Sequence, residues 1–222
     1  MFIAIDGIDG SGKTTLARQL TEIFQGSFEV FLTKEPTGYS SWGQRLRRAA
    51  VDGRLPAEVE LEHFKQDRNF HIQQYIIPAL ESGKIVISDR YVDSTLAFQT
   101  SNPDEAEALY QSMLDDILVP DVTFIIDCPV DVGLKRIDVR DNGKLSQFEK
   151  RETLEKASSI YRARTGDNYV HLDGSGMTSE TFSQAINALK SRLDETHPIH
   201  ALVANNEQLA SPNSFISTRV AG

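Results

Sequence analysis

The chain holds a single cysteine, Cys128, among 222 residues, so an internal disulfide is excluded and the thiol reads as small apolar core filler rather than as a nucleophile. Such cysteine usage suits a reducing, cytoplasmic compartment. No apolar run approaches the roughly 18 residues that a membrane-spanning helix needs. No basic stretch leads into an apolar one at the start, so no signal peptide is expected. Positive charge is scarce as well: 23 Lys and Arg stand against 32 Asp and Glu, a net charge of −9. A sequence-independent nucleic-acid binder needs a broad basic surface, which this balance disfavours. The cations that are present should gather where phosphates bind. Internal repeats and low-complexity blocks are also missing, and the length suits one well-cored domain.

What is present starts at Gly7-Ile8-Asp9-Gly10-Ser11-Gly12-Lys13-Thr14, which fits G-x-x-x-x-G-K-[ST] at every fixed position. The glycines permit backbone conformations that turn successive N–H groups inward, and the helix expected from Lys13 adds its positive end to the same spot. The spacing therefore predicts a phosphate cradle from Gly7 to Thr15. Lys13 would reach the outer phosphates of a nucleoside triphosphate and Thr14 would hold Mg²⁺. Context supports this over an ordinary glycine-rich turn. Phe2 to Ile5 read as a short buried strand, and Leu16, Leu20, Ile23 and Phe24 recur at helical spacing.

Similar β-branched runs recur at Phe28 to Thr33, Lys84 to Ser88, Val122 to Ile126 and Tyr169 to Leu172. Short continuous strands alternating with helices predict parallel pairing, and hence a doubly wound α/β fold with a five-stranded parallel sheet between helical layers. Helices are expected after the cradle, over Trp42 to Val51, from Pro56 to the stop at Gly83 with a kink at Pro78, and over Asp104 to Asp116. Further helices are expected over Val130 to Val139, Phe148 to Arg164 and Ser179 to Leu193. From Thr196 to Gly222 periodicity fades, and a flexible tail is expected there. Its Leu202, Val203, Phe215 and Ile216 leave room for a segment that orders on a partner.

The third strand runs into Asp89-Arg90-Tyr91, placing a carboxylate and a guanidinium at the carboxyl edge of the sheet, where open α/β folds bind ligands. Asp89 would orient Mg²⁺ through its water shell, and Arg90 would grip a phosphate with its planar fork.

Four further segments, Thr33-Lys-Glu-Pro36, Phe64-Lys-Gln-Asp-Arg68, Ser88 to Gln99 and Pro120 to Asp127, stand in order and at spacing that resembles the thymidylate kinase family. The resemblance covers about residues 1 to 195. It implies a three-layer P-loop fold, a homodimer, and transfer of the ATP γ-phosphoryl group to dTMP with Mg²⁺, on the route to dTTP. It implies that Phe64 stacks on thymine, that Arg68 contacts the base or nearby phosphate, and that Arg90 binds the dTMP phosphate. Glu35 and Pro36 would border the acceptor, and Ser94, Thr95 and Gln99 would approach its base. Asp9 would lie by the acceptor's 3′-hydroxyl. No role is assigned to Lys34, which stands where many relatives carry Arg, because a lysine cannot reproduce a bidentate fork.

Some relatives supply a transition-state arginine from the cradle and others from a lid. This cradle has none, so the lid, about 135 to 148, is implicated, with Arg140 as first choice and Arg136 as second. Two rival readings remain at this point: another P-loop kinase of nucleotides or nucleosides, and a non-catalytic nucleotide-binding module.

Overall fold

The apolar runs become five strands: β1 (Phe2–Gly7), β2 (Val30–Lys34), β3 (Ile85–Asp89), β4 (Val122–Asp127) and β5 (Tyr169–Asp173). They form one sheet in the order β2-β3-β1-β4-β5, with every neighbouring pair parallel. The computed structural model describes residues 1–141, 148–193 and 197–205. Parallel neighbours need crossovers, and the helices supply them: α1 (Lys13–Phe24), α2 (Ser41–Asp52), α3 (Ala57–His71), α4 (Ile77–Glu81), α5 (Val92–Gln99) and α6 (Pro103–Met113). They are followed by α7 (Val130–Asp141), α8 (Arg151–Ala163), α9 (Thr178–Arg192) and α10 (Pro198–Asn205).

Side chains alternate across each strand, which explains why the strands read as unbroken apolar runs: both faces are covered. From β1, Phe2 and Ala4 enter a core shared with Ile76, Leu96, Ile137 and Ile160. Ile3 and Ile5 enter the opposite core with Leu16, Leu20, Phe24, Phe182 and Ile186. No helix among the described residues is long and apolar enough to cross a membrane.

Three features differ from expectation. The disturbance at Pro78 takes the form of a π-helical stretch, Ile72–Ile76, in which Ile77 N–H bonds Ile72 O, and the helix then continues as α4. Proline cannot donate to the carbonyl four residues back, and the widened turn just before it is where the ladder shifts. Next, Val92–Gln99 forms a helix that periodicity did not reveal. Seven of its eight residues, Val92 to Phe98, are buried, polar Asp93, Ser94 and Thr95 included, so it has no exposed face to set an amphipathic pattern. Finally, the tail expected from Thr196 is narrowed. Pro198–Asn205 forms α10, which packs on α9 and buries Ile199 and Val203 in the second core. The rest of that tail, residues 206–222 with Phe215 and Ile216, and the lid residues 142–147 lie outside the described residues.

Candidate active site

β1 and β3 are paired with Ile5 opposite Asp89, so the loop after β1 and the Asp89-Arg90 pair after β3 emerge side by side at the carboxyl edge of the sheet. Sheet register thus joins two segments some eighty residues apart.

The first loop is the cradle. Gly10 takes φ 77°, and a Cβ there would lie 2.3 Å from the Gly133 carbonyl oxygen, so glycine is required for α7 to pack against the loop. Gly12, at φ 107°, caps α1 and aims its first N–H groups back into the loop. Lys13 lies across this loop: its Nζ donates to Ile8 O at 2.7 Å and sits 3.9 Å from the Asp9 carboxylate. Burial, with Arg90 nearby, pulls the Lys13 ammonium down to about 8, against the opposing effect of Asp9, Asp89 and Asp6. A bound polyphosphate would add negative charge here and hold Lys13 protonated.

Asp89 is buried at the β3 exit. Its Oδ2 accepts from the Thr14 hydroxyl at 2.6 Å and from Lys34 Nζ at 3.1 Å. Its Oδ1 is buried without a hydrogen-bond partner. Burial alone would raise this carboxyl, but Lys34, Lys13, Arg90 and the Thr14 hydroxyl outweigh it and hold it below the usual range. The donor set is therefore an ionised carboxylate and a hydroxyl, hard oxygens that suit Mg²⁺, with one carboxylate oxygen still available. Among the described residues there is no cluster of three or more His, Cys, Asp or Glu that would make an all-protein metal cage.

Arg90 follows with φ 78°, the only non-glycine residue at positive φ among those described. A left-handed arginine is strained, and the surroundings hold it there. Its guanidinium pairs with Asp9, donates to Ser94 Oγ at 2.9 Å and lies 5.6 Å from the Phe98 ring centre. Burial would raise Asp9, yet Arg90, Lys13 and Arg140 outweigh that effect and keep it ionised below the usual range.

Beyond Arg90 opens a cavity of about 390 Å³. Phe64, in the middle of α3, is half-buried and lines it, one helical turn before the buried Arg68, which lines it too. Arg68 forms an ion pair with Glu35 at 2.9 Å and donates to Thr95 Oγ1 at 2.7 Å, while its Nη1 is buried with no partner. Burial would raise Glu35, but Arg68 and His71 hold its carboxyl below the usual range.

A phosphate cradle, a hard-oxygen pair beside it in Thr14 and Asp89, and an adjoining pocket with an aromatic wall and a buried arginine are parts that a two-substrate phosphotransferase needs. The sequence profile of the thymidylate kinase family matches residues 5–186. The chain belongs to the thymidylate kinase family. It is 41% identical over 164 residues to a thymidylate kinase of Xanthomonas campestris pv. campestris, covering 73% of this chain and 71% of the relative. It is 42% identical over 171 residues to a thymidylate kinase of Xanthomonas euvesicatoria, with 73% and 71% covered. A probable thymidylate kinase of Archaeoglobus fulgidus is 34% identical over 195 residues, 87% of this chain and 97% of the relative.

Within this thymidylate kinase framework, Asp9, Glu35, Pro36, Phe64, Arg68, Arg90, Ser94 and Thr95 all line the one cavity. Gln99 does not. Its amide donates to Glu60 at 2.9 Å, and Glu60, paired with Arg54, lines the cavity. Thr15 lies exposed on the first turn of α1, beside Thr14. The two lid arginines part company. Arg136 spends its guanidinium on carbonyl oxygens, Gly10 at 3.3 Å, Gly174 at 2.8 Å and Gly176 at 2.7 Å, tying the cradle to the β5–α9 loop. Arg140 is 56% exposed and bonds Glu149 at 2.7 Å, and Glu149 lines the cavity.

Several further residues meet at the site, beyond those given roles from the sequence. Arg47 lines the cavity and donates to Pro36 O at 2.8 Å; within a run of arginines on α2 it looks like any solvated cation. Phe98 and Phe148 meet edge to face at 5.6 Å and close the outer wall. Asp6 stands near the end of β1, one residue past the apolar run expected there. It is fully buried, accepts from Tyr91 N at 3.1 Å and from Ser94 Oγ, and Ser94 Oγ in turn meets Tyr161 Oη at 3.0 Å. Burial, then Asp93, pushes the Asp6 carboxyl up to about 7.

Proposed function

We propose that the chain transfers the γ-phosphoryl group of ATP to dTMP, giving ADP and dTDP, by direct in-line displacement with no covalent enzyme intermediate. The observation that carries this reading is the placement of Arg90 between the cradle and the cavity that Phe64 and Arg68 line, within a chain of the thymidylate kinase family.

The cradle N–H groups and Lys13 bind the ATP phosphates, and Arg90 receives the acceptor's phosphate at the boundary. Phe64 stacks on thymine, and the donor-only Arg68 faces the base edge, where it needs a carbonyl acceptor. Asp9, held by Arg90 and Lys13, lies where the acceptor sugar would pass. The nucleophile is a phosphate oxygen that is already anionic near neutral pH, so no strong general base is required. Catalysis then rests on alignment and on cations facing the charge that spreads in the transition state. We assign one of these to Arg140, which is exposed at the end of α7. Arg136, with its donors engaged on backbone oxygens, holds the cradle in shape. Thr14 and Asp89 would hold Mg²⁺, which neutralises charge on the β- and γ-phosphates when bound. Exclusion of water by Phe98, Phe148 and the lid favours transfer over hydrolysis. A homodimer in the cytoplasm completes the proposal, on the strength of the family and of the cysteine usage.

The test is an ADP-release assay with ATP and a panel of thymidine, dTMP, dUMP, UMP, GMP and AMP. Preferred turnover of dTMP is expected. Much faster reaction with UMP or GMP would overturn the substrate, and ATP binding without ADP formation in the presence of dTMP would make the chain a non-catalytic module.

A further inference from the structure

A histidine that takes no part in the chemistry above sits directly behind Arg68. His71 is 0% exposed, and its neighbours Arg68, Glu35 and Thr33 are 2%, 3% and 5% exposed, so the cluster is sealed from water on the side away from the cavity. His71 Nδ1 lies 3.0 Å from Glu35 Oε1, and its Nε2 lies 2.7 Å from Thr33 Oγ1. A carboxylate only accepts, so Nδ1 carries the hydrogen directed at Glu35, and Thr33 on β2 fixes the other end of the ring.

This arrangement changes how Glu35 meets Arg68. An arginine and a carboxylate left to themselves form a two-oxygen fork, one N–H to each oxygen. Here only Oε2 faces the guanidinium, 3.0 Å from Nε and 2.9 Å from Nη2, because Oε1 is drawn off toward His71. Nη2 also bonds Thr95 Oγ1 at 2.7 Å and approaches Tyr91 O at 3.3 Å. One edge of the guanidinium is thereby tied down at several points, while Nη1 is buried with no partner and Arg68 lines the cavity.

We propose that His71 is a positioning residue that determines base specificity: by holding Glu35 Oε1, it keeps Arg68 Nη1 turned into the acceptor cavity, where it selects a pyrimidine with a carbonyl at that edge over one with an amino group. The inference rests on the reading of the cavity as the thymidylate site. Without the His71 N–H, Glu35 Oε1 is a buried acceptor with no partner, and the nearest available donors are those of Arg68. Glu35 then closes the full fork, the guanidinium rotates, and Nη1 no longer faces the base. A 4-amino pyrimidine presents N–H to N–H at this point, a clash that counts only while Arg68 is held in place.

The experiment compares dTMP with 5-methyl-dCMP, its 4-amino counterpart, as acceptors for the wild type and for His71→Phe, His71→Asn and His71→Gln. An asparagine amide places an N–H close to the position of Nδ1, and a glutamine amide places it near Nε2. His71→Phe and His71→Gln should lower kcat/KM for dTMP by roughly tenfold, about the effect of one hydrogen bond to a charged group, and reduce the preference for dTMP over 5-methyl-dCMP in proportion. KM for ATP should stay within about twofold, and His71→Asn should restore most of the preference. If His71→Phe does not fold, the asparagine and glutamine variants carry the comparison alone, since both are polar and similar in size. The proposal fails if those two are indistinguishable, if the preference is unchanged while activity falls, or if ATP use falls equally. A wild type that does not turn over dTMP would instead sink the functional reading itself.

Discussion

Replacing Phe64 with alanine separates binding from folding more cleanly than any other change at this site. Phe64 is half-buried in the middle of α3 and lines the 390 Å³ cavity, and it is absent from both apolar clusters that sandwich the sheet. Its ring therefore has an exposed face suited to stacking, and truncation leaves the core intact. Stacking of a base on an aromatic side chain contributes about 1 to 3 kcal/mol, which converts to a loss of roughly 5- to 150-fold in kcat/KM for dTMP. The cost to the fold should stay near 1 to 2 kcal/mol, because a half-buried ring loses well under the full price of a core phenylalanine. Steady-state kinetics with dTMP varied at saturating ATP, and then the reverse, read the two sites apart, while a thermal melt reads the fold. KM for dTMP should rise and KM for ATP should barely move. Equal losses for both substrates, or a melt shifted as far as a core truncation would shift it, would show that Phe64 is a packing residue and refute the stacking argument.

Arg140→Ala should lower kcat by roughly a hundredfold with little change in KM for dTMP, the signature of a cation used in the transition state, whereas Arg136→Ala should chiefly weaken ATP binding by loosening the cradle. Unchanged turnover in Arg140→Ala would move the catalytic role elsewhere. Asp6 should leave a mark on stability. Its carboxyl rises from 3.8 to about 7 on folding, so the folded protein binds more protons between those values, and stability is lost as pH rises through that window. The full effect is on the order of 4 kcal/mol, shared with Asp93, which burial also raises; Asp9, Glu35 and Asp89 are moved down and contribute with the opposite sign, toward the acid end. Denaturant melts of Asp6→Asn should therefore show a flatter decline from pH 4 to 8 than the wild type, and parallel curves would refute the assignment.

Much of the architecture was legible in local pattern. All five strands lie within about two residues of their expected bounds, because a parallel sheet covered on both faces writes itself as unbroken β-branched runs. The cradle was legible because a loop that wraps phosphates needs glycines at fixed intervals. Helix α5 was not, since an element buried on every side has no period to detect. The partner of Gln99 was not legible either: spacing puts it near the site, but only the tertiary structure brings its amide to Glu60, which lines the cavity.

The amino-acid sequence by itself determined the layers of the fold, the phosphate cradle and the identity of the groups available for chemistry, since these follow from periodicity and from residue type. Tertiary structure alone decided which charges meet. The pairing of Ile5 with Asp89 brings Arg90 to Asp9, and side chains of α3 reaching the residue after β2 set His71 and Arg68 on the two carboxylate oxygens of Glu35. Such contacts join residues tens of positions apart. Their geometry depends on register and on the burial that strengthens each charge–charge interaction, and neither quantity is written in any local stretch of the chain.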